Sequence, residues 1–339
     1  MVNEKYTLAE HLPIRQSSAK GELRIVVLGK IGVGKSATAN SILGQNVFFE
    51  DFNAMPTTLR ANCSSRNING TKISVIDTAG LDDPNRRRED ILEDVARIMV
   101  IFSSGVHVFL YVMNAASPRF NEKDLGYIRN FEKNILGGNM KSYRALVYSH
   151  ADSIKQNMDL NAYWIKQQKG GGAISSFLKE FERNVVAVNN STSSLVERER
   201  NQTAIVSLIN LLKEQNKNSL YMNDAFMKAA TEREDFQQWA KRKKLNLELV
   251  AAVEKVWAAH PEIDASSTEF VNKVLFQTEV QKLVESQERG KHKSTSSIRT
   301  KRSKRAIDKI KGEVLLIFAE YEKMIEAIKS YRTLTLQNT

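Results

Sequence analysis

Residues 29–36 read Gly29-Lys30-Ile31-Gly32-Val33-Gly34-Lys35-Ser36 and fit the pattern G-x-x-x-x-G-K-[ST]. A run rich in Val and Ile, Leu23–Leu28, comes directly before them and predicts a strand, and Ser36–Leu43 predicts a helix. Glycines at this spacing let backbone N–H groups turn inward around a phosphate at the positive end of the helix. The sequence therefore predicts a phosphate-binding loop, the P-loop, in which Lys35 reaches the β- and γ-phosphates and Ser36 binds Mg²⁺.

The first 215 residues continue this alternation of short β-rich runs and longer helical patterns. Such a pattern is typical of a mainly parallel sheet with helices on both faces. The predicted fold class is therefore α/β, a P-loop NTPase with a mainly parallel central sheet flanked by helices. Further strands are predicted at Lys72–Ile76, His107–Met113, Arg144–Tyr148 and Asn184–Val188, and further helices at Arg88–Phe102, Glu122–Ile135 and Gln202–Leu212.

From about Tyr221 the strand signals stop, and we expect an all-α C-terminal region. Helical windows lie at Met222–Lys243, Leu247–Trp257, Thr268–Glu288 and Ala306–Arg332. The last window carries an apolar stripe with the alternating spacing of a heptad a/d face: Ile307, Ile310, Val314, Ile317, Tyr321, Met324, Ile328 and Tyr331. Such a stripe packs either inside the chain, in a helical bundle, or against a second copy in a coiled coil.

The composition is that of a globular protein, with 42% apolar and 26% charged residues among 339. Disorder over the whole chain is therefore excluded. Cys63 is the single cysteine, which rules out an intrachain disulfide and indicates a reducing compartment. The first 20 residues lack the apolar core of a signal peptide, and no apolar run approaches the ~20 residues of a membrane span. We expect a cytoplasmic protein, with peripheral contact with an organelle membrane as the open alternative.

The net charge of +11 has one main source. Residues 291–305 contain seven Lys and Arg and no acid, which predicts an exposed, flexible basic linker. Contact with an anionic membrane, nuclear import and a nucleic-acid tether stay open as its roles. No aromatic box or zinc spacing accompanies it, so specific nucleic-acid binding is not expected. The predicted organisation is a flexible segment 1–21, a nucleotide-binding domain 22–220, a helical extension 221–290, the linker 291–305, and a C-terminal amphipathic helix and tail 306–339.

Two further motifs follow predicted strands. Asp77-Thr78-Ala79-Gly80 places a carboxylate to hold Mg²⁺ through water and a Gly80 N–H to contact a γ-phosphate. Ser149-His150-Ala151-Asp152 resembles the Thr/Asn-Lys-x-Asp box of guanine-nucleotide proteins, in which the Asp accepts hydrogen bonds from guanine and the long side chain covers the purine face. Taken alone, the first motif is a common turn and Asp152 is a helix cap. Their order after a P-loop favours a nucleotide site.

The combination resembles one family, the GTPases of immunity-associated proteins, also called immune-associated nucleotide-binding GTPases. Their G domain is shared with the Toc receptors of chloroplast import. The resemblance covers about residues 22–222. The segments that carry it are Leu23–Gly44, which reads LRIVVLGKIGVGKSATANSILG; Pro118–Asp124, similar to the family's Arg-Phe-Thr-Glu box; and Val188–Asn190 and Leu220–Asn223, similar to its Phe-Asn-Asn and Tyr-Thr-Asn segments.

The resemblance implies an AIG-type G domain that binds GTP or GDP with Mg²⁺. It implies that Thr58, 19 residues before Asp77, is the switch I threonine. It also implies homodimers or oligomers whose G domains face each other, with Arg119 acting in trans; a surface pair with Glu122 or Asp124 is the alternative for Arg119. The implied catalytic residues are Lys35, Thr58, Gly80 and Arg119, the nucleotide-binding residues are Gly29, Lys30, Ile31, Gly32, Val33, Gly34, Lys35, Ser36, Ala37, His150, Asp152, Asn189 and Asn190, and the metal-binding residues are Ser36, Thr58 and Asp77.

Four positions depart from what related proteins carry. Ala79 replaces the family's usual Pro, and Ser149 and His150 replace the usual residues of the base-binding box. Leu81 stands where many small GTPases place a Gln that orients the attacking water, and a leucine cannot do so. We therefore expect slow GTP hydrolysis by the monomer, stimulated by dimerisation. A non-hydrolysing, GTP-loaded scaffold and, less favoured, a P-loop ATPase or kinase remain the alternatives.

Overall fold

The computed structural model describes residues 21–48, 60–84, 86–117, 120–137, 140–155, 159–181, 184–261, 263, 267–277, 280–284 and 296–337. The strands are β1 (Glu22–Gly29), β2 (Asn62–Ile68), β3 (Thr71–Asp77), β4 (Val108–Asn114), β5 (Arg144–Ser149) and β6 (Val185–Ala187). The α-helices are α1 (Lys35–Leu43), α2 (Arg88–Ile101), α3 (Glu122–Asn130), α4 (Asp152–Lys155), α5 (Leu160–Lys169), α6 (Gly172–Lys179), α7 (Leu195–Gln215), α8 (Asp224–Arg242), α9 (Leu247–Ala259), α10 (Thr268–Leu275) and α11 (Ser296–Gln337).

The strands form one sheet in the order β2-β3-β1-β4-β5-β6. β1 pairs in parallel with β3 and β4, and β5 pairs in parallel with β4 and β6. Only β2, at one edge, pairs antiparallel among these described strands. The central strands are buried on both faces, which explains why their sequences read as continuous Val and Ile runs. The five parallel strands therefore end at the same edge of the sheet, where the predicted nucleotide motifs follow them.

Helices cover both faces of this sheet, as the α/β prediction requires. On one face α1 and α7 pack around Ile42 and Ile209. On the other face Val95 and Met99 of α2 belong to a larger core that continues into the C-terminal helices. The predicted fold class is confirmed.

The C-terminal region is all-α and packs directly on this second face. α11 contacts α2, α8 and α9. Tyr321 of α11 stacks on Trp257 of α9, and the guanidinium of Arg97 in α2 lies 4.2 Å from the centroid of the same indole. Six members of the heptad stripe are buried within the chain: Ile310, Val314, Ile317, Tyr321, Met324 and Ile328. The stripe therefore packs in an intramolecular bundle, the first of the two arrangements that its spacing allowed.

The last helix begins earlier than the sequence predicted. α11 starts at Ser296, whereas the predicted boundary was Ala306. Residues 296–305 are thus helical and not part of a flexible linker, and residues 291–295 lie outside the described part of the chain. The physical reason is composition, because this stretch has no Gly or Pro and several Lys and Arg, which are good helix formers.

Other boundaries also differ from the sequence prediction. The helix predicted at Glu122–Ile135 ends at Asn130 and continues as a wider π turn, Phe131–Leu136. The helix predicted at Thr268–Glu288 ends at Leu275, and helical structure resumes at residues 280–284. β2, α5 and α6 were not predicted. Across the part of the chain that the structure describes, none of the helices combines the length and the hydropathy needed to cross a membrane.

Candidate functional site

The P-loop joins the end of β1 to the start of α1. Gly32 and Gly34 have positive φ angles of 72° and 89°, a region that residues with a Cβ rarely adopt. α1 begins at Lys35, immediately after Gly34, and Ser36 and Ala37 form its first turn. The motif glycines are therefore required by the backbone conformation, which is the one that turns N–H groups toward a bound anion.

Lys35 lies across the loop that contains it. Its Nζ donates a hydrogen bond of 2.7 Å to the carbonyl oxygen of Lys30, and the side chain is almost fully buried. Burial lowers the pKa of Lys35, while the carboxylates of Asp77 and Asp82 act in the opposite direction. A lysine in this position is a cation that little water screens, which suits it to an anionic ligand.

Two of the predicted metal-binding side chains, Ser36 in the first turn of α1 and Asp77 at the end of β3, meet. The Ser36 hydroxyl donates to Asp77 Oδ2 at 2.7 Å, and the Asp77 side chain is buried at the end of β3. The adjacent Thr78 donates from Oγ1 to the carbonyl of Val27 in β1, which fixes the chain after β3 against the P-loop strand. A hydroxyl and a carboxylate are the hard oxygen donors that Mg²⁺ prefers, so these residues fit the ion.

Gly80 packs directly against the P-loop. A Cβ added to Gly80 would lie 2.3 Å from Ile31 Cγ1 and 2.9 Å from the Ile31 nitrogen, so only glycine fits. The next residue, Leu81, donates its N–H to the carbonyl of Gly29 at 3.1 Å and is partly buried against the hydrophobic core. The segment after β3 is therefore held against the loop by backbone contacts, and it brings an apolar side chain to position 81.

Ser149 joins two predicted motifs. Its hydroxyl donates to the carbonyl of Val33 in the P-loop at 2.7 Å and lies 2.9 Å from His150 Nδ1. Ser149 is fully buried, whereas Asp152 is exposed at the start of α4. His150 has a φ of 57°, in the left-handed region. Ser149 was not among the predicted site residues, although its place in the Ser-His-x-Asp box was the available signal.

The predicted residues Asn189 and Asn190 follow β6 and lie beside the first turns of α1. Asn190 accepts a hydrogen bond from Ser41 Oγ at 2.8 Å and donates to Thr38 Oγ1 at 2.9 Å. The backbone carbonyl of Asn189 accepts from the Asn201 amide of α7 at 2.8 Å. These contacts bring the segment after β6 to the helix that the P-loop opens.

Two carboxylates that sequence reasoning missed contact the P-loop. Asp82 Oδ1 accepts a 2.7 Å hydrogen bond from the Ile31 N–H, and its Oδ2 lies 3.8 Å from Lys30 Nζ. Asp124 Oδ1 lies 2.9 Å from the same ammonium. Of the other predicted residues, Thr58 and Arg119 lie outside the described part of the chain.

These contacts define one site at the edge where the parallel strands end. The P-loop follows β1, the Ser36–Asp77 pair and Gly80 follow β3, the Ser149–His150 pair follows β5, and Asn189 and Asn190 follow β6. Open α/β sheets bind ligands at this edge. The arrangement brings together a glycine-rich loop with a buried lysine, oxygen donors suited to a cation, and a separate set of polar side chains after β5 and β6.

Comparisons with known proteins agree on one relationship. Immune-associated nucleotide-binding protein 9 of Arabidopsis thaliana is 25% identical over 217 residues, which cover 62% of this chain and 60% of that protein. GTPase IMAP family member 8 of Mus musculus is 26% identical over 198 residues, 56% of this chain and 27% of that protein. The chain thus spans three fifths or less of these curated relatives.

The crystal structure of Toc33 from Arabidopsis thaliana in complex with GDP and Mg²⁺ is similar at a TM-score of 0.43 and 23% identity, covering 57% of this chain and 85% of that one. Residues 23–241 match the AIG1 family. That match extends from β1 to the last turn of α8 and so includes every described site residue. Because it covers more than half of the sequence, the chain belongs to the AIG1 family.

Proposed function

We propose that this chain binds GTP and GDP together with Mg²⁺. The observation that carries the proposal is the meeting of the P-loop, the Ser36–Asp77 pair and the Ser149–His150 pair at one edge of the sheet. The names of the relatives, an immune-associated nucleotide-binding protein and a GTPase, support the same ligand class. Phosphate, metal and base would each have their own set of side chains.

On the phosphate side, Lys35 leaves the Lys30 carbonyl and donates to β- and γ-phosphate oxygens. Backbone N–H groups of Gly29–Ala37 hold the β-phosphate at the start of α1, where the helix dipole favours negative charge. Ser36 and Thr58, together with Asp77 through water, would hold Mg²⁺, which would offset the negative charge of the phosphates. The Gly80 N–H contacts the γ-phosphate, and the close packing of Gly80 on Ile31 keeps that N–H beside the loop.

On the base side, Asp152 accepts hydrogen bonds from guanine N1–H and the N2 amine, and the His150 ring covers the purine face. Ser149 holds both motifs in register, because its hydroxyl bonds the P-loop carbonyl of Val33 and contacts the His150 ring. Asn189 and Asn190 close the pocket from the β6 side. The exposure of Asp152 leaves its carboxylate accessible to a base.

We further propose that hydrolysis is slow in the monomer and is stimulated when two G domains pair. Leu81 supports slow hydrolysis, because its side chain packs on the core and has no group to orient water. Arg119, supplied by the partner, would stabilise the charge that develops on the γ-phosphate. The same Leu81 observation favours a second candidate, a non-hydrolysing scaffold that pairs when loaded with GTP.

Asp152→Asn tests the guanine contact. We expect GTP affinity to fall by about 10- to 100-fold, since the bidentate contact to the base is lost. Xanthosine triphosphate should bind the variant better than GTP, because its carbonyl at C2 pairs with the new amide. Asp159→Asn is the matched control, since it removes the same charge nearby and asparagine also caps α5. Unchanged GTP affinity in Asp152→Asn would refute the role of Asp152.

We propose, separately, that the basic residues of 291–305 contact anionic membrane. Seven cations without an acid are attracted to such a surface at ~1 kcal/mol each. Co-sedimentation with vesicles that contain phosphatidylserine, compared with neutral phosphatidylcholine vesicles, measures the contact. Equal recovery with both kinds of vesicle would exclude it.

A further inference from the structure

We infer that Asp82 is an internal anion that competes with the γ-phosphate, so that the site favours GDP over GTP. This inference rests on the proposed function and deepens it. Asp82 lies two residues after Gly80, in the segment that the Leu81 N–H fixes to Gly29. Its carboxylate accepts the Ile31 N–H at 2.7 Å, inside the loop that binds phosphate.

The hydrogen bonds of Asp82 and Lys35 both involve the peptide group between Lys30 and Ile31. The Lys30 carbonyl and the Ile31 N–H belong to the same peptide bond, and Lys35 Nζ bonds the former while Asp82 Oδ1 bonds the latter, each at 2.7 Å. The Lys35 ammonium and the Asp82 carboxylate therefore bond the carbonyl and the N–H of the same peptide group. Gly80, whose N–H is the proposed γ-phosphate contact, packs against the same Ile31 nitrogen. Asp82 consequently holds a negative charge on the γ-phosphate side of the P-loop.

That charge acts differently on the two nucleotides. GDP has no γ-phosphate, so we expect it to leave the Ile31 N–H to Asp82. GTP brings a γ-phosphate toward the same N–H and the same lysine, where a second anion is repelled and competes for the donors. GTP binding therefore requires that the Asp82 carboxylate either moves away or stays close to the γ-phosphate. Both arrangements lower the affinity for GTP relative to the affinity for GDP.

The surrounding charges make withdrawal of Asp82 feasible. Lys30 Nζ lies 3.8 Å from Asp82 but only 2.9 Å from Asp124, a buried carboxylate at the start of α3. When Asp82 leaves, Lys30 keeps its closer partner, so no unpaired lysine charge remains. Asp82 is itself partly exposed and lies in a turn, in which the Asp83 N–H bonds the Gly80 carbonyl at 3.4 Å. The Asp82 side chain can therefore turn away while Leu81 stays packed on the core.

The test compares two affinities in the 339-residue chain. Dissociation constants for GDP and for a non-hydrolysable GTP analogue, both with Mg²⁺, are measured by calorimetry in the parent, Asp82→Asn, Asp82→Ala and Asp83→Asn. Asparagine keeps an acceptor oxygen for Ile31 but removes the charge, and Asp83→Asn makes the same change in net charge one residue away. We expect both Asp82 variants to lower the ratio of the analogue constant to the GDP constant by about tenfold, with GDP binding and the Asp83 control within about twofold of the parent.

An unchanged ratio in Asp82→Asn and Asp82→Ala would overturn the inference. An equal fall of the ratio in all three variants would also overturn it, because the effect would then come from the net charge and not from the position of Asp82. If the parent binds both nucleotides and the ratio is the same in the Asp82 variants, the proposed nucleotide binding stands and only the role of Asp82 is wrong. If the parent binds neither nucleotide, the proposed function fails and the role of Asp82 fails with it.

Discussion

Lys35→Ala is expected to lower the affinity for GTP and GDP by about 1000-fold, which abolishes binding at micromolar nucleotide. In the proposed site the variant loses two or more charge-assisted hydrogen bonds to phosphate, each contributing about 1.5–3 kcal/mol. The loss is large here because Lys35 is buried, so little water screens the interaction. Titration with a fluorescent guanine nucleotide measures the effect directly.

Lys72→Ala is the matched control for this prediction. Lys72 lies in β3, at the opposite end from Asp77, and its ammonium pairs with Glu22 on the surface. Removing it makes the same change in net charge without touching the site, so nucleotide affinity should stay within about twofold of the parent, as exposed ion pairs contribute little. A Lys35→Ala variant that folds and binds nucleotide as well as the Lys72→Ala control would contradict the P-loop assignment.

The second large effect concerns hydrolysis. We expect the rate of GTP hydrolysis per molecule to rise with protein concentration, because in the proposed mechanism the pairing of G domains supplies Arg119 in trans. At high concentration Arg119→Ala should lower the rate by about 1000-fold or more, in the range that a supplied arginine contributes. Phosphate release measured over a hundredfold range of protein concentration, with nucleotide in excess, gives both results.

Arg242→Ala serves as the control, because Arg242 is exposed at the end of α8 and far along the chain from the site. A rate that is constant with concentration, or full activity of Arg119→Ala at high concentration, would reject the trans mechanism. No measurable hydrolysis at any concentration, with GTP still bound, would favour the scaffold. Sedimentation with GDP and then with a non-hydrolysable GTP analogue shows whether pairing itself depends on the nucleotide.

Local spacing in the sequence predicted the backbone conformation of the P-loop and the buried central strands. The P-loop was predictable because its glycines and lysine lie within eight residues, and the structure gives Gly32 and Gly34 the positive φ angles that the motif requires. β1 and β4 were predictable because strands buried on both faces read as continuous apolar runs. β2 was missed because it is an edge strand in which only Cys63 is buried, so its residues read as polar.

Contacts between residues far apart in the sequence could not be predicted from local spacing. Ser149 and Val33 are 116 positions apart, and only the pairing order of the sheet brings the hydroxyl to the P-loop carbonyl. Asp82 and Ile31, 51 positions apart, meet for the same reason. The heptad stripe predicted which face of α11 is buried. It did not predict what that face packs against, because a/d spacing is equally suited to a coiled coil and to an intramolecular bundle.

Competition between GTP and ATP for the 339-residue chain tests the central claim most directly. With Mg²⁺ present and a fluorescent guanine nucleotide bound, we predict that GTP displaces the probe at concentrations at least about 100-fold lower than ATP, because adenine leaves the polar groups of the base pocket unpaired. Equal displacement by GTP and ATP would contradict guanine selectivity, and displacement by neither would contradict nucleotide binding at this site.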